Sequence, residues 1–213
     1  MYKVVSSSSD GNAVIYLNKV MVDCGVPFKK LAGLYKDLSV ILLTHQHGDH
    51  IKPDTLRKIS INHPNIKFVC PEYLLFKVRP VVKRHQIVVV EVGKVYQIGN
   101  ITFSPVRLYH NVENVGYRIM VDNIKILHAT DTCTLDGIVA KNYDLYAIEF
   151  NWDEETIQDY IDEKKQKGIY AYEEEAILNH LSWQKAQAFY ESQKGAKSQL
   201  LKLHISSRYE GKI

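Results

Sequence analysis

Three histidines and an aspartate fall within six positions, His45-Gln46-His47-Gly48-Asp49-His50, directly after the apolar run Val40 to Leu43. A buried strand that delivers imidazoles and a carboxylate at its C-terminal end is a way of building a metal site. Neutral imidazole is the commonest protein metal ligand, and nitrogen with carboxylate suits Zn²⁺. The bland alternative is a polar loop that happens to be rich in histidine. The His-x-His-x-Asp-His spacing and further ligand-type residues downstream speak against it.

Those further residues are His110, Asp131 and His204. Each ends an apolar run, namely Phe103 to Leu108, Ile124 to Leu127 and Leu200 to Leu203. Sites in open α/β folds gather beyond strand ends in this way. His45, His47 and His110 can serve one metal, and Asp49, His50 and His204 a second, leaving Asp131 to bridge. Two ions about 3.5–4 Å apart clamp a displacement at phosphorus, and Zn²⁺ lowers the pKa of water it binds to about 7. The expected cofactor is two Zn²⁺, with Mn²⁺ or Fe²⁺ as alternatives for a donor set without thiolate.

The remaining histidines divide by position. His63 precedes a proline and reads as a surface loop residue, and His85 in Lys83-Arg84-His85 as a solvated edge. His128 lies on a strand leading to Asp131 and reads as a core histidine or a support for a ligand. His180 stands just before the helix cap Ser182, where a helix N-terminus favours an anion. There it can touch a substrate phosphate or protonate a leaving oxygen. Ser182, Ser206, Ser207 and Arg208 are candidate phosphate contacts, with Ser182 equally a simple cap. Tyr109, Tyr117, Trp152, Tyr170, Tyr172 and Trp183 are candidates for stacking on a base.

The elements that must position these groups fit one domain over residues 1–213, long enough for one sizeable core. Hydrophobic residues make up 46% and charged residues 24%, with a net charge of +3. This balance excludes a disordered chain and fits an anionic substrate, but is far from a strong nucleic-acid footprint. Cys24, Cys70 and Cys133 have no paired spacing and read as free thiols in a reducing cytosol. Neither a signal peptide nor a membrane-length apolar stretch is expected. A short strand at Val4-Val5, a serine loop, and a hairpin around Asn18-Lys19 open the chain. A short helix between Pro27 and Asp37, strand Val40–Leu43 and a helix from Pro53 follow. Residues 81–121 are strand-rich, Asp122-Asn123 is a hairpin turn, and a helix from Trp183 to Gln193 is closed by Gly195. Strands, helix, strands, then helix and strand suggest two sheets with helices outside, a four-layer αββα sandwich.

The motif Thr44 to His50, followed in order by His110, Asp131 and His204, resembles the successive metal motifs of the metallo-β-lactamase superfamily. Met21-Val22-Asp23-Cys24-Gly25 also looks like that family's N-terminal half. Within the superfamily, the common zinc β-lactamases carry Cys at the place of Asp131, and flavo-diiron proteins carry Glu at that of His47. The β-CASP nucleases carry a large insertion for which this chain has no room, and glyoxalase II enzymes end in a helical domain that is not evident here. His180-Leu181-Ser182 and Leu203 to Tyr209 resemble the end of ribonuclease Z, and Glu149 to Asp153 those of YycJ-type phosphoesterases. The ribonuclease Z arm that grips tRNA is missing, since His110 and Asp131 are close in sequence. A ribonuclease Z-like catalytic end without that arm resembles the phage anti-Pycsar phosphodiesterases.

The resemblance implies a dinuclear phosphodiesterase in which Asp49 orients the nucleophile and His180 stabilises charge or donates a proton. The substrate it favours is a small cyclic nucleotide, and the alternative a nuclease acting on RNA or DNA ends. A metal-stabilised binding module without chemistry is the non-enzymatic alternative. A homodimer is expected by analogy, with no membrane partner and a cytoplasmic location in a bacterium or phage-infected cell.

Overall fold

A computed structural model describes residues 1–209. The chain packs as two compact units, Met1–Val106 with Ile119–Asn123, and Arg107–Arg118 with the chain from Ile124 onward.

The first unit is built on a six-stranded sheet in the order β1-β2-β3-β4-β5-β6. Its strands are β1 (Tyr2–Ser8), β2 (Gly11–Tyr16), β3 (Val20–Val22), β4 (Val40–Leu42), β5 (Lys67–Pro71) and β6 (Ile87–Val90). β1 to β3 pair antiparallel, and β3 to β6 parallel. Parallel strands are covered on both faces, which is why β4 is an uninterrupted apolar run, wholly buried. Helix α1 (Pro53–Asn62) starts with proline in its first turn, where the missing N–H is no loss. It buries Leu56 and Ile59 in a core with Met21, Ile41, Leu43 and Phe68. Helix α2 (Leu75–Val78) adds Leu75 and Val78.

Two expectations change here. Ser6, Ser7 and Ser8 are not a loop but the end of β1, paired with β2 across a register shift between Val4 and Ser6. An edge strand can keep its backbone ladder on one side while polar side chains face water. The stretch after Pro27 forms only a 3-10 turn, Phe28–Leu31, before Gly33 at φ +81 redirects the chain.

The second sheet runs β12-β11-β10-β9-β8-β7. It comprises β7 (Tyr96–Ile98), β8 (Ile101–Tyr109), β9 (Glu113–Val121), β10 (Ile124–Ala129), β11 (Leu145–Glu149) and β12 (Gln199–Leu203). β10, β11 and β12 are parallel neighbours. Asp122 and Asn123 both take positive φ, 50° and 65°, as a two-residue hairpin turn needs. Three helices follow: α3 (Ile157–Gln166), the unexpected α4 (Glu173–Asn179) and α5 (Trp183–Gln193). Trp152, Ile157, Ile161, Ala171 and Tyr209 form a core beneath them. Ser182 caps α5, its Oγ accepting the Lys185 N–H at 3.2 Å. Gly195 does not close that helix. The C-cap is Lys194, and a side chain at Gly195 would meet Asn142 Oδ1 at 2.8 Å. Among the described residues no helix is long and apolar enough to cross a membrane.

Candidate metal centre

In the first unit the histidine motif leaves the end of β4 and is knitted to the segment after β3. Asn12 N–H donates to Asp49 O at 2.7 Å, Cys24 N–H to His50 O at 2.9 Å, and Lys52 N–H to Cys24 O at 3.0 Å. Gly25 lies so close that a Cβ there would stand 1.5 Å from Asp49 O. His45 and His50 are fully buried, their ring centres 4.0 Å apart, and His45 Nε2 is 3.0 Å from His47 Nδ1.

Asp23 organises this half. It ends β3 in the left-handed conformation, φ 60°, and is buried. Its carboxylate accepts the Thr44 N–H at 2.9 Å, the Thr44 hydroxyl, and the His50 Nδ1 proton at 2.7 Å. A carboxylate on Nδ1 fixes the tautomer and turns the Nε2 lone pair outward, the arrangement typical of metal-binding histidines. Asn12 Nδ2 bridges that Nε2 (2.9 Å) and Asp49 Oδ2 (3.1 Å). Burial raises the pKa of Asp23, against the opposing pull of the His50 ring and Thr44.

In the second unit the predicted residues again follow strand ends: His110 after β8, Asp131 after β10, His204 after β12. Asp131 and His204 are left-handed, at φ 59° and 51°. Such backbone costs roughly 1–2 kcal/mol per residue outside glycine, and clusters where side chains must be aimed. His110 Nδ1 donates to the carbonyl of Asn179, the last residue of α4, at 3.0 Å, leaving Nε2 as the acceptor. Burial lowers its pKa despite Asp131 and so favours the neutral ring.

Glu149, the last residue of β11, binds this half together. It is fully buried. Oε1 lies 2.6 Å from His180 Nδ1 and 3.2 Å from His204 Nδ1, and Oε2 accepts the Thr132 N–H at 3.0 Å. His204 Nε2 then points at Asp131 Oδ1, 3.3 Å away. Asp131, Glu149, His180 and His204 each offer one donor atom within 4.8 Å of the others. Burial opposes charge on both Glu149 and His180, but their mutual attraction wins. The Glu149 pKa falls and that of His180 rises.

The other predicted contacts are placed as follows. Ser182 Oγ also donates to Glu154 Oε1 at 2.5 Å, and Arg208 pairs with the buried Glu173 while lying over the Tyr160 ring. Ser207 is exposed. Tyr117 is core, while Trp152 Nε1 donates to His180 O and Trp183 Nε1 to Phe150 O. Tyr109, Tyr170 and Tyr172 are exposed. Asn12, Asp23 and Glu149 join this arrangement although residue type and spacing do not single them out. The signal the sequence offers is an acid at a strand end, Asp23 just after β3 and Glu149 as the last residue of β11.

Residues 18–204 match a beta-lactamase superfamily domain. The chain belongs to this superfamily. Exodeoxyribonuclease WalJ of Streptococcus pneumoniae is 31% identical over 179 residues, 74% of this chain, and the match spans 64% of WalJ. Among solved structures, the metallo-beta-lactamase fold protein YhfI from Bacillus subtilis superposes with a TM-score of 0.74 at 16% identity, covering 97% of this chain and 86% of YhfI. Human tRNase Z, short form, gives 0.70 at 17% identity, covering 98% and 93%. The α/β architecture of the chain is thus the metallo-β-lactamase fold.

Proposed function

We propose that the chain is a metal-dependent hydrolase of nucleotide phosphodiesters. The observation that carries this is the single buried carboxylate of Glu149, 2.6 Å from His180 Nδ1 and 3.2 Å from His204 Nδ1, which gathers the two imidazoles with Asp131 into one cluster of donor atoms. The donor set of imidazoles and carboxylates fits Zn²⁺ or Mn²⁺. Following the order of the family motifs, His45, His47 and His110 would hold one ion and Asp49, His50 and His204 a second, with Asp131 shared. When bound, the ions would supply Lewis acidity and lower the pKa of water.

The chain's own residues do the rest. Asp49, held by Asn12, orients the attacking water. His180 gives its Nε2 proton to the departing oxygen as the P–O bond breaks, and the ring stays anchored to Glu149 through Nδ1. Ser182, Ser207 and Arg208 remain proposed phosphate contacts, with Arg208 first having to leave Glu173. Similarity to an exodeoxyribonuclease favours a polynucleotide substrate. A second reading, a small cyclic nucleotide, is favoured by the short path from His110 to Asp131, in which β9, β10 and a two-residue turn occupy all but residues 111, 112 and 130. A single domain acting as a cytoplasmic homodimer completes the proposal.

The test is hydrolysis of bis-p-nitrophenyl phosphate with added Zn²⁺ or Mn²⁺, and then with EDTA. Turnover should need metal. Metal-independent turnover, or none with any phosphodiester, overturns the proposal.

A further inference from the structure

Between Glu72 and Glu91 the chain carries Lys77, Arg79, Lys83 and Arg84 and no acid, more positive charge than the whole protein's net +3. The segment belongs to the first unit and is fastened to the histidine motif. Tyr73 Oη donates to Thr44 O at 2.6 Å, and Lys77 Nζ to Gln46 O. Beside α2 and the edge strand β6 lies a cavity of about 600 Å³. Leu75, Val82, Ile87 and Val89 give it an apolar lining, and Arg79 and Arg84 add two guanidinium groups. Arg79, Lys83 and Arg84 are exposed, and none has an ion-pair partner among the described residues. Phe76 is 61% exposed and stands three positions before Arg79, on the same side of that helical turn.

An apolar floor with unpaired guanidinium groups and an exposed ring is chemistry for a nucleotide. The base covers the floor or stacks on the aromatic ring, and the arginines take the phosphates. We infer that this cavity binds a nucleotide of a single-stranded polynucleotide whose neighbouring phosphodiester is the one cleaved, an inference that rests on the polynucleotide reading above. A single strand is chosen because Phe76 can stack only on an unpaired base. The mild overall charge is thus uneven, with its excess concentrated beside the histidine motif.

Equilibrium binding of fluorescently labelled single-stranded DNA, RNA and duplex DNA to the full chain, followed by anisotropy over a range of salt, reads the site without turnover. Replacing Arg79→Ala and Arg84→Ala together should weaken single-strand binding at least tenfold at low salt. It should also reduce the slope of log affinity against log salt by about 1.4, two phosphates at about 0.7 each. Phe76→Ala should weaken single-strand binding roughly tenfold and leave duplex binding weak throughout. Lys29→Ala with Lys30→Ala, the same charge removed elsewhere on the first unit, should change binding less than threefold. Unfolding temperatures near wild type show that the variants fold. Single-strand affinity and salt slope unchanged in the arginine variant overturn the inference. So does an equal loss in the Lys29/Lys30 variant or a preference for duplex. Patch-dependent binding by a wild-type protein that hydrolyses no phosphodiester breaks the hydrolase reading alone. Hydrolysis of DNA with patch-independent binding breaks this inference alone.

Discussion

The two units solve the same problem by different means. In the first, four predicted ligands lie in six residues, and backbone contacts aim them. The loop from His47 to Ile51 is stitched to residues 12 and 23–25, and Gly25 leaves room for the Asp49 carbonyl. In the second, the chemistry is scattered over 95 residues, from His110 to His204. Left-handed strand ends and one buried carboxylate gather it. A local motif leans mainly on backbone contacts and needs a buried carboxylate for one imidazole, that of His50, whereas the dispersed one relies on a carboxylate that two distant imidazoles share.

The largest effect expected from that contrast is at Gly25. Gly25→Ala would drive Cβ into backbone atoms of Asp49 and His50, at 1.5 to 2.7 Å, with no flexible side chain to give way. We expect a loss of about 4 kcal/mol or more, the range reserved for forced overpacking or backbone rearrangement. Urea denaturation reads it directly, and a midpoint near wild type would show that the loop is not held by this contact.

Next come the two carboxylates that orient imidazoles. Glu149→Gln keeps the size of the group but offers His180 a weaker partner and removes the charge that raises its pKa. It should lower phosphodiester turnover about 10²- to 10⁴-fold, the contribution of a positioned acid. Asp23→Asn removes the carboxylate that His50 and Thr44 share. It should lower metal affinity about 10- to 100-fold, the cost of losing a supporting partner, and should lower turnover only as far as metal occupancy falls. Metal titration by calorimetry alongside kinetics at saturating metal separates them. If both variants lose rate equally with metal saturated, the two halves do not differ as argued.

The same contrast explains what could be read from the sequence. The histidine motif, the strands that precede it and the cap at Ser182 are local patterns, so residue order alone displays them. So does the Asp122-Asn123 turn, because positive φ at two positions favours those residue types. Glu149 is different. Its partners His180 and His204 lie 31 and 55 positions on, and no local periodicity marks the pairing. Asp23 is equally unmarked, because its bond to His50 spans 27 positions. The serine run reads as a loop for a related reason. Serine favours turns by hydrogen bonding to its own backbone, but at a sheet edge the ladder to β2 overrides that preference.

The smallest expected effect also sharpens the comparison, because Ser182 can be either scaffold or substrate contact. As a cap it satisfies one of the orphan donors of α5 through Lys185 N–H. Ser182→Ala should then lower stability by about 1 kcal/mol, a fall of about 2–4 °C in unfolding temperature for a chain of this size. It should leave KM within twofold of wild type. If Ser182 instead contacts the scissile phosphate, KM rises about tenfold or more while the stability loss stays the same, since the cap is removed either way. The loss of the Ser182–Glu154 hydrogen bond cannot mimic that result. It adds to the stability term and touches no substrate, so the KM ratio alone decides whether the second unit presents Ser182 to the substrate or uses it only to start α5.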